Sequence, residues 1–267
     1  MKFTVIGTGN MGKALINGFL TSGMIKPDEL CVFDIRKEAA DKVASDYGCT
    51  STNDVKTAVE GADYVLMAVK PQHFDNALGG LMPYVKADAA IISIAAAVNI
   101  ARIEKIAGSD RKIFRVMPNT PAQVGSGVSA VVPVRIEGEQ KEFLIRLFET
   151  CGIVIECDEK TLDVIGCVSG TGPAYVMLFI EAMADAAVKL GVTRADALKI
   201  AEATVMGSGK LAFETGTHPA VLKDMVCSPA GTTIAGVAAL EEAGLRNAVI
   251  KSVEAAYNRT LELATGK

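Results

Sequence analysis

Gly7-Thr8-Gly9-Asn10-Met11-Gly12 decides the fold. It follows directly on an apolar run at 2–6, which reads as a strand. It opens a segment, 10–22, whose apolar side chains recur at helical spacing until Gly23 stops it. A glycine pattern alone is weak evidence; between a strand and a helix it predicts the phosphate-binding turn of a βαβ unit. Gly7 permits the tight turn, Gly9 lets a pyrophosphate approach the backbone, and Gly12 lets the helix pack close to the strand. The N–H groups and the dipole of the helix start then hold the anion.

Working outward from this turn, short apolar strands are expected at 30–33, from 49, and at 64–69, 89–94, 113–117, 128–134 and 152–156, with helices at 38–45, 55–59 and 138–150. This alternation predicts a doubly wound, mostly parallel sheet of the Rossmann type. After about residue 158 strand signals stop and Ala-rich helical spacing takes over. Gly172-Pro173 suits the start of a long helix over 173–190, and Thr193-Arg-Ala-Asp196 is a capping-box variant opening the next, to about 213. Further helices are expected from 219, from about 229 and over 245–262. The fold class is therefore α/β, with a dinucleotide-binding domain at 1–157 and an all-α domain at 158–267. Helices apolar on several faces need partners, which points to a dimer or larger assembly.

Composition removes other possibilities. With 27 Lys and Arg against 31 Asp and Glu, the net charge is −4, so no basic field draws in nucleic acid or anionic membrane. The N-terminus carries no signal-peptide pattern, and the apolar run at 89–98 is about half a membrane span. A soluble, cytoplasmic protein is expected. There are two His, no Trp and six Cys without a CxxC, so no metal site is expected and the thiols read as reduced and buried. Any catalysis must manage largely without imidazole.

Two clusters carry candidate chemistry. The first is the cofactor cluster: Ile6, Gly7, Thr8, Gly9, Asn10, Met11 and Gly12. It is joined by Asp34 and Arg36 after the second strand, by Asn53, and by strand ends at Ala68-Val69-Lys70-Pro71, Ala95-Ala96 and Asn119. Asp34, about 20 residues beyond Gly12, suits the adenosine ribose hydroxyls of NAD and would repel a 2′-phosphate. Arg36 and Lys37 could pair with that phosphate, so NADH and NADPH both stay open. His73 reads as a surface residue. The second cluster is Ser228-Pro229-Ala230-Gly231-Thr232-Thr233. Ser228 before Pro229 reads as an N-cap with the first helical residue. Exposed N–H groups there suit a carboxylate, and the hydroxyls of Ser228, Thr232 and Thr233 could orient a small polar substrate. An ordinary helix cap is the plain alternative. Ser169-Gly170-Thr171-Gly172-Pro173-Ala174-Tyr175 is a similar entry, for which tight helix packing is the simpler reading.

In order along the chain, GTGNMG, AVKPQ at 68–72, RVMPNTP at 115–121, SGTGPAY at 169–175 and VCSPAGTT at 226–233 together resemble the pyrroline-5-carboxylate reductase family, over nearly the whole sequence. That resemblance implies reduction of 1-pyrroline-5-carboxylate to proline with NADPH or NADH, the last step of proline biosynthesis. It implies a helical domain that forms an intertwined dimer, often assembled into decamers. It also implies that Ser228, Gly231 and the backbone of Thr232 and Thr233 hold the substrate carboxylate while the Thr233 hydroxyl, the catalytic candidate, bonds the ring nitrogen. The family usually has Asn or Ser where Asp34 stands, which leaves cofactor preference open. The 3-hydroxyacid dehydrogenases also pair a GxGxMG turn with a helical domain. They need a Lys in G-x-x-x-K-x-x-N on the long helix, where this chain has Gly172-Pro-Ala-Tyr-Val-Met-Leu. A non-catalytic NAD(P)-binding regulator would show a degraded second cluster, which is intact here.

Overall fold

The computed structural model describes residues 1–264. The chain divides into two compact units: Met1–Gly170 with the segment from Tyr257 onward, and Thr171–Ala256. The last strand ends at Glu156, just before the boundary expected at 157/158, but the first unit continues through one further helix to Gly170.

The first unit is built on eight strands, β1 (Phe3–Ile6), β2 (Leu30–Phe33), β3 (Thr50–Thr52), β4 (Tyr64–Met67), β5 (Ala90–Ser93), β6 (Lys112–Met117), β7 (Gly127–Val134) and β8 (Gly152–Glu156). Their order is β3-β2-β1-β4-β5-β6-β7-β8, parallel throughout except for β7 against β6. Every residue of β1, β4 and β5 is buried, because helices cover both faces; hence their continuous apolar runs. On one face Phe3 and Val5 pack with Phe19 of α1 (Asn10–Thr21) and Phe148 of α6 (Gly138–Glu149), the rings of Phe19 and Phe148 meeting edge-on at 5.4 Å. α2 (Lys37–Tyr47) lies on the same side. On the other face Ile6 and Met67 pack with α3 (Val55–Val59), α4 (Pro71–Leu81) and α5 (Ile100–Ala107). The Thr4 hydroxyl, buried on this side, donates to the Ala58 carbonyl at 2.7 Å.

α4, α5 and α7 (Glu159–Ser169) are helices for which the sequence reading gave no bounds. α7 is fixed by charge. Arg115 on β6, only 3% exposed, donates to Glu159 at 2.9 Å and to Asp163 at 2.8 Å. The same Glu159 oxygen accepts the Ile100 N–H at the start of α5.

The second unit contains α8 (Gly172–Lys189), α9 (Arg194–Thr215), α10 (Pro219–Met225) and α11 (Thr232–Glu242), and most of α12 (Leu245–Ala264). Thr193 caps α9 as expected, accepting the Asp196 N–H. The buried core of this unit is made of small residues, Ala184, Ala197 and Ala201. Ile180, Met183 and Leu198 pack against it, but many large apolar side chains face outward: Leu178 is 65% exposed, Met206 71% and Phe213 69%. Among the described residues one helical stretch, Glu159–Lys189, is long and apolar enough by composition to cross a membrane.

Arg115→Ala leaves two carboxylates beside a buried gap. Urea unfolding should show a loss of about 3 kcal/mol, the cost of breaking a buried ion pair. A loss under about 1 kcal/mol would show that these pairs behave as solvent-screened ones.

Candidate functional site

The sheet order reverses between β1 and β4: from β1 the chain runs outward to β2 and β3, then returns to β4 on the other side. Such a switch point opens a crevice beyond the strands' carboxyl ends. Register places Ile6 beside Phe33 and Met67, so the residues that follow, Gly7, Asp34 and Ala68, reach the same edge. Gly7 donates its N–H to Phe33 (2.7 Å), and Ala68 donates to Ile6 (2.8 Å). A cleft of about 840 Å³ opens there, lined by Ile6, Gly7, Asp34, Arg36, Asn53, Ala68, Val69 and Lys70 among the expected residues.

The three glycines have distinct geometries. Gly7 has φ +102°, and a Cβ on it would lie 2.7 Å from the Ala68 carbonyl oxygen. A Cβ on Gly12 would lie 2.5 Å from the Gly7 oxygen, whereas one on Gly9 would meet nothing within 4 Å. Two glycines therefore serve close packing and the third leaves an open approach. α1 begins with no side-chain cap and no acidic residue in its first turn, which keeps its positive end available to an anion.

Asp34 is 7% exposed. Oδ2 accepts the Thr8 backbone N–H at 2.9 Å and the Thr8 hydroxyl at 2.8 Å; Oδ1 accepts the Arg36 N–H at 3.0 Å. Burial alone would raise the carboxyl's pKa. The hydrogen bonds from the Thr8 and Arg36 N–H groups and the Thr8 hydroxyl, with the Arg36 charge, outweigh it and hold the group below the ordinary aspartate range. The Arg36 guanidinium lies 3.7 Å from Oδ1 and is otherwise largely in solvent.

The cleft also has a wall that the sequence reading did not assign. Ile35 stands 90% exposed at its lip, and Val55 lines it from α3. His73, Asn76, Ala77 and Gly80 line it from α4. Their spacing is that of one helix face, a signal that recognition of α4 would have made readable. Nine expected residues do not line this cleft: Thr8, Gly9, Asn10, Met11 and Gly12 of the turn and helix start, Pro71, and Ala95, Ala96 and Asn119 at the other strand ends. Ala95 is buried, Ala96 exposed, and the Asn119 amide is engaged internally, donating to the Ser169 carbonyl at 2.9 Å and accepting the Val128 N–H at 2.8 Å. Thr8 points its hydroxyl to Asp34 and is 2% exposed.

In the second unit, the helix expected from about 229 begins three residues later. α11 starts at Thr232 with Gly231 as N-cap, and Ser228-Pro229 form the preceding turn. The reason is Ala230, whose φ of +59° is left-handed and ends any helix begun at Pro229. The Gly231 N–H donates to the Ser228 carbonyl at 3.0 Å, and a Cβ on Gly231 would strike the Ser228 hydroxyl. Ser228, Thr232 and Thr233 are all exposed. α11 has neither a side-chain cap nor an acidic residue in its first turn. This open helix start can receive a small anion. His218 is occupied elsewhere, its Nδ1 accepting the Ala220 N–H at the start of α10. The six cysteines form no disulfide, and Cys31, Cys49, Cys151 and Cys167 are buried. Among the described residues no cluster of three or more His, Cys, Asp or Glu could hold a metal.

Residues 159–263 match the family described as pyrroline-5-carboxylate reductase dimerisation, and residues 2–97 that described as NADP oxidoreductase coenzyme F420-dependent. The chain is 39% identical over 264 residues to the pyrroline-5-carboxylate reductase of Escherichia coli (strain K12), covering 98% of each. Among solved structures it is similar to a pyrroline-5-carboxylate reductase from Coxiella burnetii, with TM-score 0.92, 33% identity and 98% of each chain covered. It is also similar to Plasmodium falciparum pyrroline carboxylate reductase with NADP bound, with TM-score 0.89, 31% identity, and 99% of this chain and 98% of that one covered.

Because the folded state lowers the Asp34 pKa below its ordinary value near 3.8, Asp34 contributes stability that is present above that value and is lost as pH falls through the folded-state pKa. The acid side of the stability–pH curve should therefore be flatter for Asp34→Asn than for the parent. Superimposable slopes below about pH 5 would contradict this placement of the charge.

Proposed function

The chain belongs to the pyrroline-5-carboxylate reductase family, and on that premise we propose how its residues share the work. It is an NAD(P)H-dependent oxidoreductase that reduces 1-pyrroline-5-carboxylate to proline. The observation that carries this reading is similarity along the entire length to reductases of that name. The cleft beside β1 and β4 suits the dinucleotide: the open side of Gly9 and the uncapped start of α1 accept the pyrophosphate, while Asp34, Arg36 and Asn53 stand at the adenosine ribose. Lys70, Pro71, Ala95, Ala96 and Asn119 at the strand ends complete the assignment proposed for the cofactor.

When bound, NAD(P)H supplies a hydride to the imine carbon. The protein's task is then orientation, since a protonated cyclic imine is already electrophilic and its nitrogen keeps the proton as an amine N–H. Ser228, Gly231 and the N–H groups of Thr232 and Thr233 hold the substrate carboxylate at the start of α11. The Thr233 hydroxyl accepts from the ring N–H and fixes the imine face. Hydroxyls and amides suffice for this, which agrees with a chain of only two histidines. Neither alternative reading, a 3-hydroxyacid dehydrogenase or a non-catalytic NAD(P)-binding regulator, is favoured by the relatives.

The protein is a homo-oligomer through its helical half, as the match to the dimerisation family and its outward apolar side chains support. Dimers, or decamers built from dimers, in the cytoplasm are our reading, with neither nucleic acid nor membrane as partner, in keeping with the net charge of −4.

The direct test is spectrophotometric oxidation of NADH and of NADPH by the purified protein with pyrroline-5-carboxylate. Turnover of a 3-hydroxyacid instead, or of nothing, would refute the assignment. Thr233→Ala should lower kcat about 10-fold or more with NAD(P)H affinity nearly unchanged, since the hydroxyl orients only substrate; equal loss of both contradicts its role. Asp34→Ser should move the kcat/KM ratio toward NADPH, and an unmoved ratio would show that another group reads the ribose.

A further inference from the structure

The carboxylate of Asp34 has limited acceptor capacity, and most of it is used. Oδ2 takes two donors from a single residue, the backbone N–H of Thr8 at 2.9 Å and its hydroxyl at 2.8 Å. Each carboxylate oxygen has about two acceptor sites, so this oxygen is filled. Oδ1 accepts one N–H, from Arg36 at 3.0 Å, with the guanidinium Nε too far at 3.7 Å for a hydrogen bond. Oδ1 alone keeps capacity for a ligand hydroxyl. Both side chains are buried, Thr8 at 2% and Asp34 at 7% exposure, so a donor lost at their contact is not cheaply replaced. Asp34 nevertheless lines the cleft, whereas Thr8 does not.

We propose that Thr8 is a positioning residue for cofactor choice: by filling Oδ2 it presents the remaining capacity of Oδ1 to the adenosine ribose, and so sets a preference for the dinucleotide with an unphosphorylated 2′-hydroxyl. The inference rests on the reading that this cleft holds NAD(P)H. Thr8 acts through Asp34 and touches no reacting atom. A free 2′-hydroxyl donates one hydrogen bond to the open oxygen of an ionised carboxylate, a strong pairing. A 2′-phosphate brings negative charge to the same carboxylate and gains only what Arg36 can offer after leaving it. The x position of this GxG turn is therefore part of the specificity apparatus, and the turn and the ribose reader are one hydrogen-bonded unit.

The test uses the full-length enzyme with both cofactors. Thr8→Val keeps the branched shape and the backbone N–H and replaces the hydroxyl with a methyl group. The KM for NADH should rise about fivefold with the loss in KM and not in kcat, while the KM for NADPH moves less than about twofold, as expected for losing one donor to a charged acceptor. Thr8→Ser should restore the NADH value to within about twofold. In an Asp34→Ser background, Thr8→Val should leave the NADPH/NADH ratio unchanged, because a residue acting through Asp34 has nothing left to position. Equal changes for both cofactors, no change for either in a variant with an unaltered Tm, or a full Thr8→Val effect in the Asp34→Ser background would each overturn the proposal. Should Thr8→Val not fold, the comparison of Thr8→Ser and Thr8→Cys decides in the same way. If the parent enzyme oxidises neither cofactor with pyrroline-5-carboxylate, the functional reading fails first; if it oxidises them and the variants do not discriminate, only the role of Thr8 fails.

Discussion

The approach of Gly7 to Ala68 is the constraint on which the nucleotide half of this protein turns. Parallel pairing of β1 with β4 brings the two strand ends side by side, and there is no room between them for a side chain. A positive φ at Gly7 sends the chain away from Ala68 and into α1, and Gly12 then passes close over the Gly7 carbonyl. The crevice, the open flank of Gly9 and the uncapped start of α1 all follow from that contact. Distant features depend on it too, since β1 must stay in register with β2 for Asp34 to reach the loop.

Much of this was legible because steric requirements leave marks in residue type. The buried strands show as continuous apolar runs, and the bounds read for β2, α3 and β8 are those the structure has. The glycine turn could be assigned role by role, since each role excludes a Cβ for its own reason. Less was legible where packing and not composition decides. α4 carries His, Gln, Asn, Asp and two glycines, a polar mixture that hides its periodicity, and with it the cleft wall formed by His73, Asn76 and Ala77. Ser-Pro is a good helix opening and favours a start of α11 three residues early, because nothing local announces that Ala230 adopts a left-handed backbone.

The pairing of Thr8 with Asp34 was beyond local reading altogether. Both residues were identified as candidates, each for a direct contact with the cofactor. Their mutual hydrogen bonds join positions 26 residues apart and exist only because β1 and β2 lie side by side. The same holds for Arg115, whose partners sit on a helix far along the chain. The local chemistry of an acidic protein that binds anions becomes coherent at this level. In the proposed sites backbone N–H groups and Arg36 meet the anions, which needs no general excess of positive charge.

The second unit has a different economy of burial. Alanines form its buried core, with Met183 and Leu198 packed against them, while many of its other leucines, methionines and phenylalanines face outward. A helical body organised in this way leaves large apolar side chains for another copy of the chain to cover, in keeping with its match to the dimerisation family. Association of this kind adds to stability by mass action. Protein concentration therefore belongs beside temperature and solvent among the variables that set how firmly this half of the molecule holds together.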